Sequence, residues 1–227
     1  MNDKRDEANM KKIIMVDGGP RRNMNTAAML DAFARGVADA DSSIEVKRVR
    51  LYELDYKGCM SCLACKVKGH ASNVCVFKDG LHDFLTDLSD ADGFVLGSPI
   101  YMGRITGQSQ AFLERVVFPW LSYNDFSLSA AKKMPTTFIY TMNATEEYLP
   151  ELEPQLGHIE NLVSLGFGPV ERITACNTAQ VRDYSRYEMA AASQGKAEYR
   201  EQHWEQDLQK AYEAGKRMTQ KICASNT

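Results

Sequence analysis

Five short runs of apolar or alternating residues, each separated from the next by a stretch of helical period, leave this chain few folds to adopt. Residues 11–19 (KKIIMVDGG) read as an apolar strand ending in glycines. Asn25 and Thr26 then open an alanine-rich helix that offers Ala28, Leu30, Phe33 and Val37 to a core. Residues 43–51 (SIEVKRVRL) alternate apolar and charged side chains, as a strand near a sheet edge does. Residues 81–91 have helical spacing, and residues 93–99 (GFVLGSP) form a continuous apolar run halted by turn residues, the pattern of a strand buried on both faces. The unit repeats with helix 108–118 and strand 135–142, and again with a helix around 147–165 and strand 169–175. Residues 198–223 carry Trp204, Leu208, Tyr212 and Met218 near helical spacing and read as a terminal covering helix. Strands that alternate with helices must run parallel, and right-handed crossovers put helices on both faces. The expected fold is therefore α/β, a doubly wound parallel sheet of five strands in one domain over residues 11–227, behind a polar tail, residues 1–10, that reads as disordered.

Composition narrows the function classes. The 227 residues are 44% hydrophobic and 25% charged, a globular balance, and the formal charge of -3 supplies no basic stripe for nucleic acid or anionic membrane. The charged N-terminus lacks the apolar core of a signal peptide, and no apolar run approaches the roughly 18 residues of a membrane span. Four of the six cysteines crowd into residues 59–75, which argues against a secreted disulfide framework and for redox or metal chemistry in a reducing compartment, the cytoplasm.

In an open α/β sheet a ligand sits outside the carboxyl ends of the strands, so the loops after strands one, three and four are the candidates. The first, GGPRRNMNTA (residues 18–27), leads glycines, Arg21 and Arg22 and small polar residues into a helix N-terminus, where backbone N–H groups and the helix dipole can hold a phosphate. The competing reading is that Asn25 or Thr26 is an ordinary N-cap. The second, GSPIYMGRITG (residues 97–107), presents Tyr101 and Met102 between glycines, where backbone can approach a flat ring. The third, TMNATEE (residues 141–147), offers Met142 and Asn143, with Thr145 as a cap and an acidic first turn behind it. One loop for phosphate and two for a ring system suit a mononucleotide. The GxGxxG fingerprint of a dinucleotide site is absent from the first turn.

Cys59, Cys62 and Cys65 follow one another at three-residue steps, and Cys75 stands after nine more residues. Such spacing suits three corners of a [4Fe-4S] cubane closed by a distant fourth thiolate, whereas zinc ribbons use two separated CxxC knuckles. Free thiols in a loop of about residues 55–78 are the plain alternative, because cysteine also serves as a small buried hydrophobe. His70, His82, His158 and His203 have no evident partners. Cys176 and Cys223 stand alone, and residues 182–192, rich in Tyr and Arg, read as a surface loop and short helix.

The segments GGPRRNMNT, GCMSCLACK and GSPIYMGRITG, in this order and spacing, resemble the NAD(P)H-dependent FMN reductase and iron-sulfur flavoprotein branch of the flavodoxin-like superfamily, over residues 11–176. The resemblance implies a sheet order of 2-1-3-4-5, with FMN phosphate near Gly19, Arg21, Asn23, Asn25 and Thr26 and the isoalloxazine along Pro99, Ile100, Tyr101, Met102 and Gly103. Gly19 stands where that branch commonly has serine, and the nine-residue gap before Cys75 is longer than usual there. It further implies an oxidoreductase that passes electrons from NAD(P)H through FMN to a quinone, another small molecule, a cluster or a protein, as a homodimer or homotetramer. No catalytic acid or base is needed, because the cofactor carries the chemistry. A non-enzymatic flavodoxin-type carrier and a cysteine-based redox or metal sensor are the alternatives.

Overall fold

The computed structural model describes residues 10–69 and 72–225. The expected N-terminal tail, Met10 apart, lies outside the described residues, as does His70. The elements run β1 (Lys12–Asp17), α1 (Asn25–Ala40), β2 (Glu45–Arg50), α2 (His82–Ser89), β3 (Gly93–Tyr101), β4 (Arg104–Ile105), α3 (Gly107–Val117), β5 (Thr136–Thr141), α4 (Leu149–Phe167), β6 (Val170–Ala175), α5 (Ala190–Ser193) and α6 (Lys196–Ala224).

Five parallel strands lie in the order β2-β1-β3-β5-β6. Counting parallel strands alone, that is the flavodoxin-like order 2-1-3-4-5. The sixth strand, β4, escaped the sequence reading because it is two residues long. It folds back on the end of β3 as an antiparallel hairpin, pairing Ile100 with Ile105 and Tyr101 with Arg104. Met102 and Gly103 make the turn with φ of 51° and 79°. Two consecutive positive φ values match the right-handed twist of the strands, and glycine takes its share without strain.

The strands are apolar because both faces are covered. Ile14, Val16, Phe94, Leu96 and Phe138 point to one side, against Phe84 of α2, Phe112 of α3 and Val163 and Phe167 of α4. Ile13, Met15, Val95, Ile139 and Ile173 point to the other, against Met29 and Phe33 of α1 and Ala211 and Met218 of α6. Each large side chain so buried contributes roughly 1.5–3 kcal/mol against chain entropy. Strand β2 has no fully buried residue, with Glu45 and Lys47 exposed and the rest half-buried, as suits an edge strand. Helices α1 and α6 approach until their backbones touch. A Cβ on Gly36 would lie 1.9 Å from Tyr212 O, and one on Gly215 2.2 Å from Phe33 O.

Candidate functional site

Asp17 closes β1 and shapes the first loop. Its side chain is wholly buried, its Oδ1 accepts the Gly19 N–H at 3.0 Å, and Arg48 and Arg50 of β2 approach its Oδ2 at 2.7 and 3.1 Å. A buried carboxylate paired with two guanidiniums and a backbone donor is satisfied, and it fixes the shape of the turn. Helix α1 starts immediately after. Its N-cap is Met24, which provides no side-chain cap. Asn25 does not cap either, since its Nδ2 donates to Ala179 O at 2.7 Å and its Oδ1 accepts from Arg200 at 3.1 Å. The first-turn N–H groups therefore keep their capacity to bind an anion.

A buried hydroxyl cluster ties the first loop to the second. Thr106, the N-cap of α3, accepts from Ser109 N–H and donates to Gly18 O at 2.8 Å, while Ser98 Oγ accepts the Thr106 N–H at 3.1 Å. The Gly18 N–H donates to Gly97 O at 2.8 Å. The third loop joins through Thr26 and Thr141, whose hydroxyls lie 2.7 Å apart. One hydrogen makes that bond, so the other hydroxyl hydrogen remains to be given elsewhere. Behind this loop Lys196, buried and with its pKa lowered by desolvation, donates to Asn143 O at 2.6 Å, and Asn143 Nδ2 donates to Thr178 O and Ala192 O.

The three loops enclose one hollow of about 490 Å³, open mouth included. Of the residues proposed from sequence, Gly19, Arg21, Asn25, Thr26, Pro99, Ile100, Tyr101, Met142 and Asn143 line it. Three others, Asn23, Met102 and Gly103, stand outside. Asn23 lines a neighbouring hollow between α1 and α6. Met102 is 99% exposed and, with Gly103, forms the β3–β4 turn, because the hairpin carries this tip away from the sheet end. Thr145 caps no backbone N–H and instead donates to Glu147. The sequence reading missed Thr141, Thr178 and Gln180, which also line the hollow. Thr178 and Gln180 follow β6, a strand end to which the same carboxyl-edge rule applies. Gln180 Oε1 is buried without a hydrogen-bond partner, an acceptor that awaits a donor.

The cysteine loop folds beside α3. Ser61 and Leu63 take φ of 54° and 58°, turning the chain so that Cys59, Cys62, Cys65 and Cys75 line a single hollow. Lys66 fastens the loop to the end of α3 by donating to Phe118 O at 2.7 Å and Pro119 O at 2.9 Å, and also to Leu121 O. A cation on these orphan carbonyls suits a helix C-terminus. Burial raises the Cys65 pKa, opposed by Lys66. Among the described residues no three His, Cys, Asp or Glu side chains converge on one ion-sized point. A single zinc ion, with donors about 2.3 Å away, finds no ready site. Cys176 is buried away from these thiols, and burial pushes its pKa up to about 11, so it is an inert core thiol.

The family model for NADPH-dependent FMN reductase matches residues 11–163. An iron-sulfur flavoprotein of Methanocaldococcus jannaschii is 29% identical over 104 residues, covering 46% of this chain and 51% of the relative. One from Archaeoglobus fulgidus is 31% identical over 104 residues, 46% of this chain and 48% of the relative. The match thus spans about half the length of each. Among solved structures, the NAD(P)H:quinone oxidoreductase of Methanothermobacter marburgensis superposes with a TM-score of 0.66 at 14% identity, covering 91% of this chain and 98% of that one. An azoreductase of Bacillus anthracis gives 0.64 at 12% identity, over 92% and 100%. These two likenesses establish the fold.

Proposed function

The chain belongs to the NADPH-dependent FMN reductase family, and from that premise we propose that it binds FMN between its three crossover loops and relays electrons from NAD(P)H to a quinone, another small molecule or a protein. The observation that carries this reading is the uncapped N-terminus of α1 opening into a hollow shared with Pro99–Tyr101 and Thr141–Asn143. The donor set fits the group. First-turn N–H groups and Arg21, which donates to Gln180 O and stays exposed, suit a phosphate. The spare Thr26 or Thr141 hydroxyl hydrogen offers a donor and Gln180 Oε1 an acceptor to polyol or ring edges. Pro99 and Ile100 present the apolar surface on which a flat ring rests. Bound FMN supplies hydride acceptance from nicotinamide and electron donation onward. The protein places it, and no side chain need act as acid or base.

Cys59, Cys62, Cys65 and Cys75 are proposed to hold a [4Fe-4S] cluster. Four thiols around one hollow, without the convergence a lone ion needs, suit a cofactor that brings its own sulfides. Such a cluster would divide a two-electron hydride into single electrons. A neighbouring copy, in a homodimer or homotetramer, would close the mouth where Tyr101 and Met102 stand exposed. Reconstitution under anaerobic conditions tests the proposal. The expected result is about one FMN per chain, reduced by NADPH in steady-state turnover with a quinone. Absence of flavin binding would sink it, while flavin binding without NAD(P)H oxidation would favour the non-enzymatic carrier.

A further inference from the structure

Among the described residues Arg115 is the largest fully buried side chain, 2% exposed, on a helix face otherwise given to Phe112 and Val116. An arginine in that position needs partners for five N–H donors. All five are accounted for, and every one goes to the cysteine loop or its end. Nη1 donates to Lys57 O at 3.0 Å and to Asp79 Oδ2 at 2.7 Å. Nη2 donates to Phe77 O at 2.9 Å and to Asp79 Oδ1 at 3.2 Å. Nε is aimed at Cys75 Sγ at 2.9 Å. Lys57 precedes Cys59 and Phe77 follows Cys75, so one guanidinium clasps the two strands of chain that enter and leave the loop. The adjacent residue on α3, Glu114, takes the Cys59 N–H at 3.3 Å.

We infer that Arg115 is a positioning and tuning residue for the cysteine site: it fixes the distant fourth cysteine, Cys75, in the hollow with the other three and delivers a charged N–H donor to its sulfur. This rests on the proposed cluster. It also explains how a nine-residue gap after Cys65 is tolerated. A long gap leaves the fourth ligand free to wander, and the clasp removes that freedom by holding Phe77 and Asp79 to α3. A charged donor to a ligand sulfur stabilises the more electron-rich, reduced state, so its loss lowers the reduction potential. Lysine keeps a charge but lacks the planar fork that reaches sulfur, two carbonyls and a carboxylate at once.

The test compares the anaerobically reconstituted full chain with Arg115→Gln and Arg115→Lys. Three quantities are read: iron and sulfide per FMN, the rate of iron release to a chelator, and the midpoint potential followed by the cluster's paramagnetic signal. Arg115→Gln is expected to release iron at least about tenfold faster than the unaltered chain, with a more negative potential and unchanged FMN stoichiometry. Arg115→Lys is expected to release iron at an intermediate rate. A purely structural clasp would change the release rate and leave the potential in place, which would overturn the tuning claim. If Arg115→Gln fails to bind FMN and so fails to fold, Arg115→Lys decides, and equality with the unaltered chain in both rate and potential would overturn the inference. Absence of iron and sulfide from the unaltered chain would instead refute the cluster reading itself, before any variant is compared.

Discussion

Replacing Gly18 by alanine should destabilise the protein for a reason that has nothing to do with backbone freedom. Gly18 is not among the positive-φ glycines, so by backbone entropy alone an alanine there would stabilise by about 0.4–1 kcal/mol. Space forbids it. The added Cβ would fall 1.9 Å from Ser109 Oγ, 3.0 Å from Gly97 O and 3.3 Å from Ser109 Cβ. Ser109 can swing its hydroxyl away only by abandoning its contacts with Thr106 Oγ1 at 2.9 Å and Ser98 Oγ at 3.3 Å. Two buried hydrogen bonds at about 1 kcal/mol each, with a residual crowding cost against Gly97 O, put Gly18→Ala about 2–3 kcal/mol below the unaltered chain. A urea titration of the flavin-free protein measures this, and Ser109→Ala provides the control. Alone, Ser109→Ala should cost about 2 kcal/mol, because it removes the same two bonds. Combined with Gly18→Ala it should cost less than the sum by about 2 kcal/mol, because the hydroxyl in the way and both of its bonds are already gone. A Gly18→Ala midpoint within about 0.5 kcal/mol of the unaltered chain, or strict additivity in the pair, would refute the steric account.

Three further outcomes follow from the same geometry. Thr26→Val breaks the 2.7 Å bond to Thr141 and removes one hydroxyl from the hollow; FMN affinity by fluorescence titration should fall about tenfold, from a loss of about 1–1.5 kcal/mol. Asp79 has its pKa lowered: burial raises it, but hydrogen bonds from Arg115 and the Leu81 N–H outweigh that. Its stabilisation is therefore complete above the ordinary value of 3.8 and is lost as pH falls through the lower folded value, so urea midpoints should drop below about pH 4 and Asp79→Asn should flatten that drop. Gly36→Ala would push a Cβ to 1.9 Å from Tyr212 O, a backbone atom that cannot rotate aside; it should cost about 3 kcal/mol and expose α6 to limited proteolysis.

What was legible in the sequence and what was not divide along physical lines. The strands of the sheet interior announce themselves, because burial on both faces demands the continuous apolar runs of Ile13–Val16 and Phe94–Leu96. Ligand loops follow from the rule that crevices open at carboxyl ends, which brought Gly19, Thr26, Pro99 and Asn143 to one place. The β3–β4 hairpin was not legible, since a two-residue strand has no period, and it removed Met102 and Gly103 from the hollow. Asn25 was expected to touch phosphate with its side chain, but partners distant in sequence, Ala179 and Arg200, claimed both ends of its amide. Such contacts leave no local trace. Arg115 did leave one: a charge three residues after Phe112, on the face of α3 that also carries Val116, must either be exposed or be bound, and it is bound.

Helix α3 joins the two candidate sites. Its N-cap, Thr106, donates to the Gly18 carbonyl of the first loop, and its last full turn presents Glu114 and Arg115 to the cysteine loop. Nine residues of helical rise separate Thr106 from Arg115, about 14 Å, and one rigid rod sets that separation. The capping threonine and the clasping arginine share no partner, so damage at one end should leave the other intact. Loosening the loops around Gly18 should alter the proposed flavin site without releasing Cys75, and releasing Cys75 should leave the hydroxyl cluster closed. The proposed electron relay would use this arrangement: two candidate sites held at a fixed distance by a common element, each with its own neighbours to adjust it.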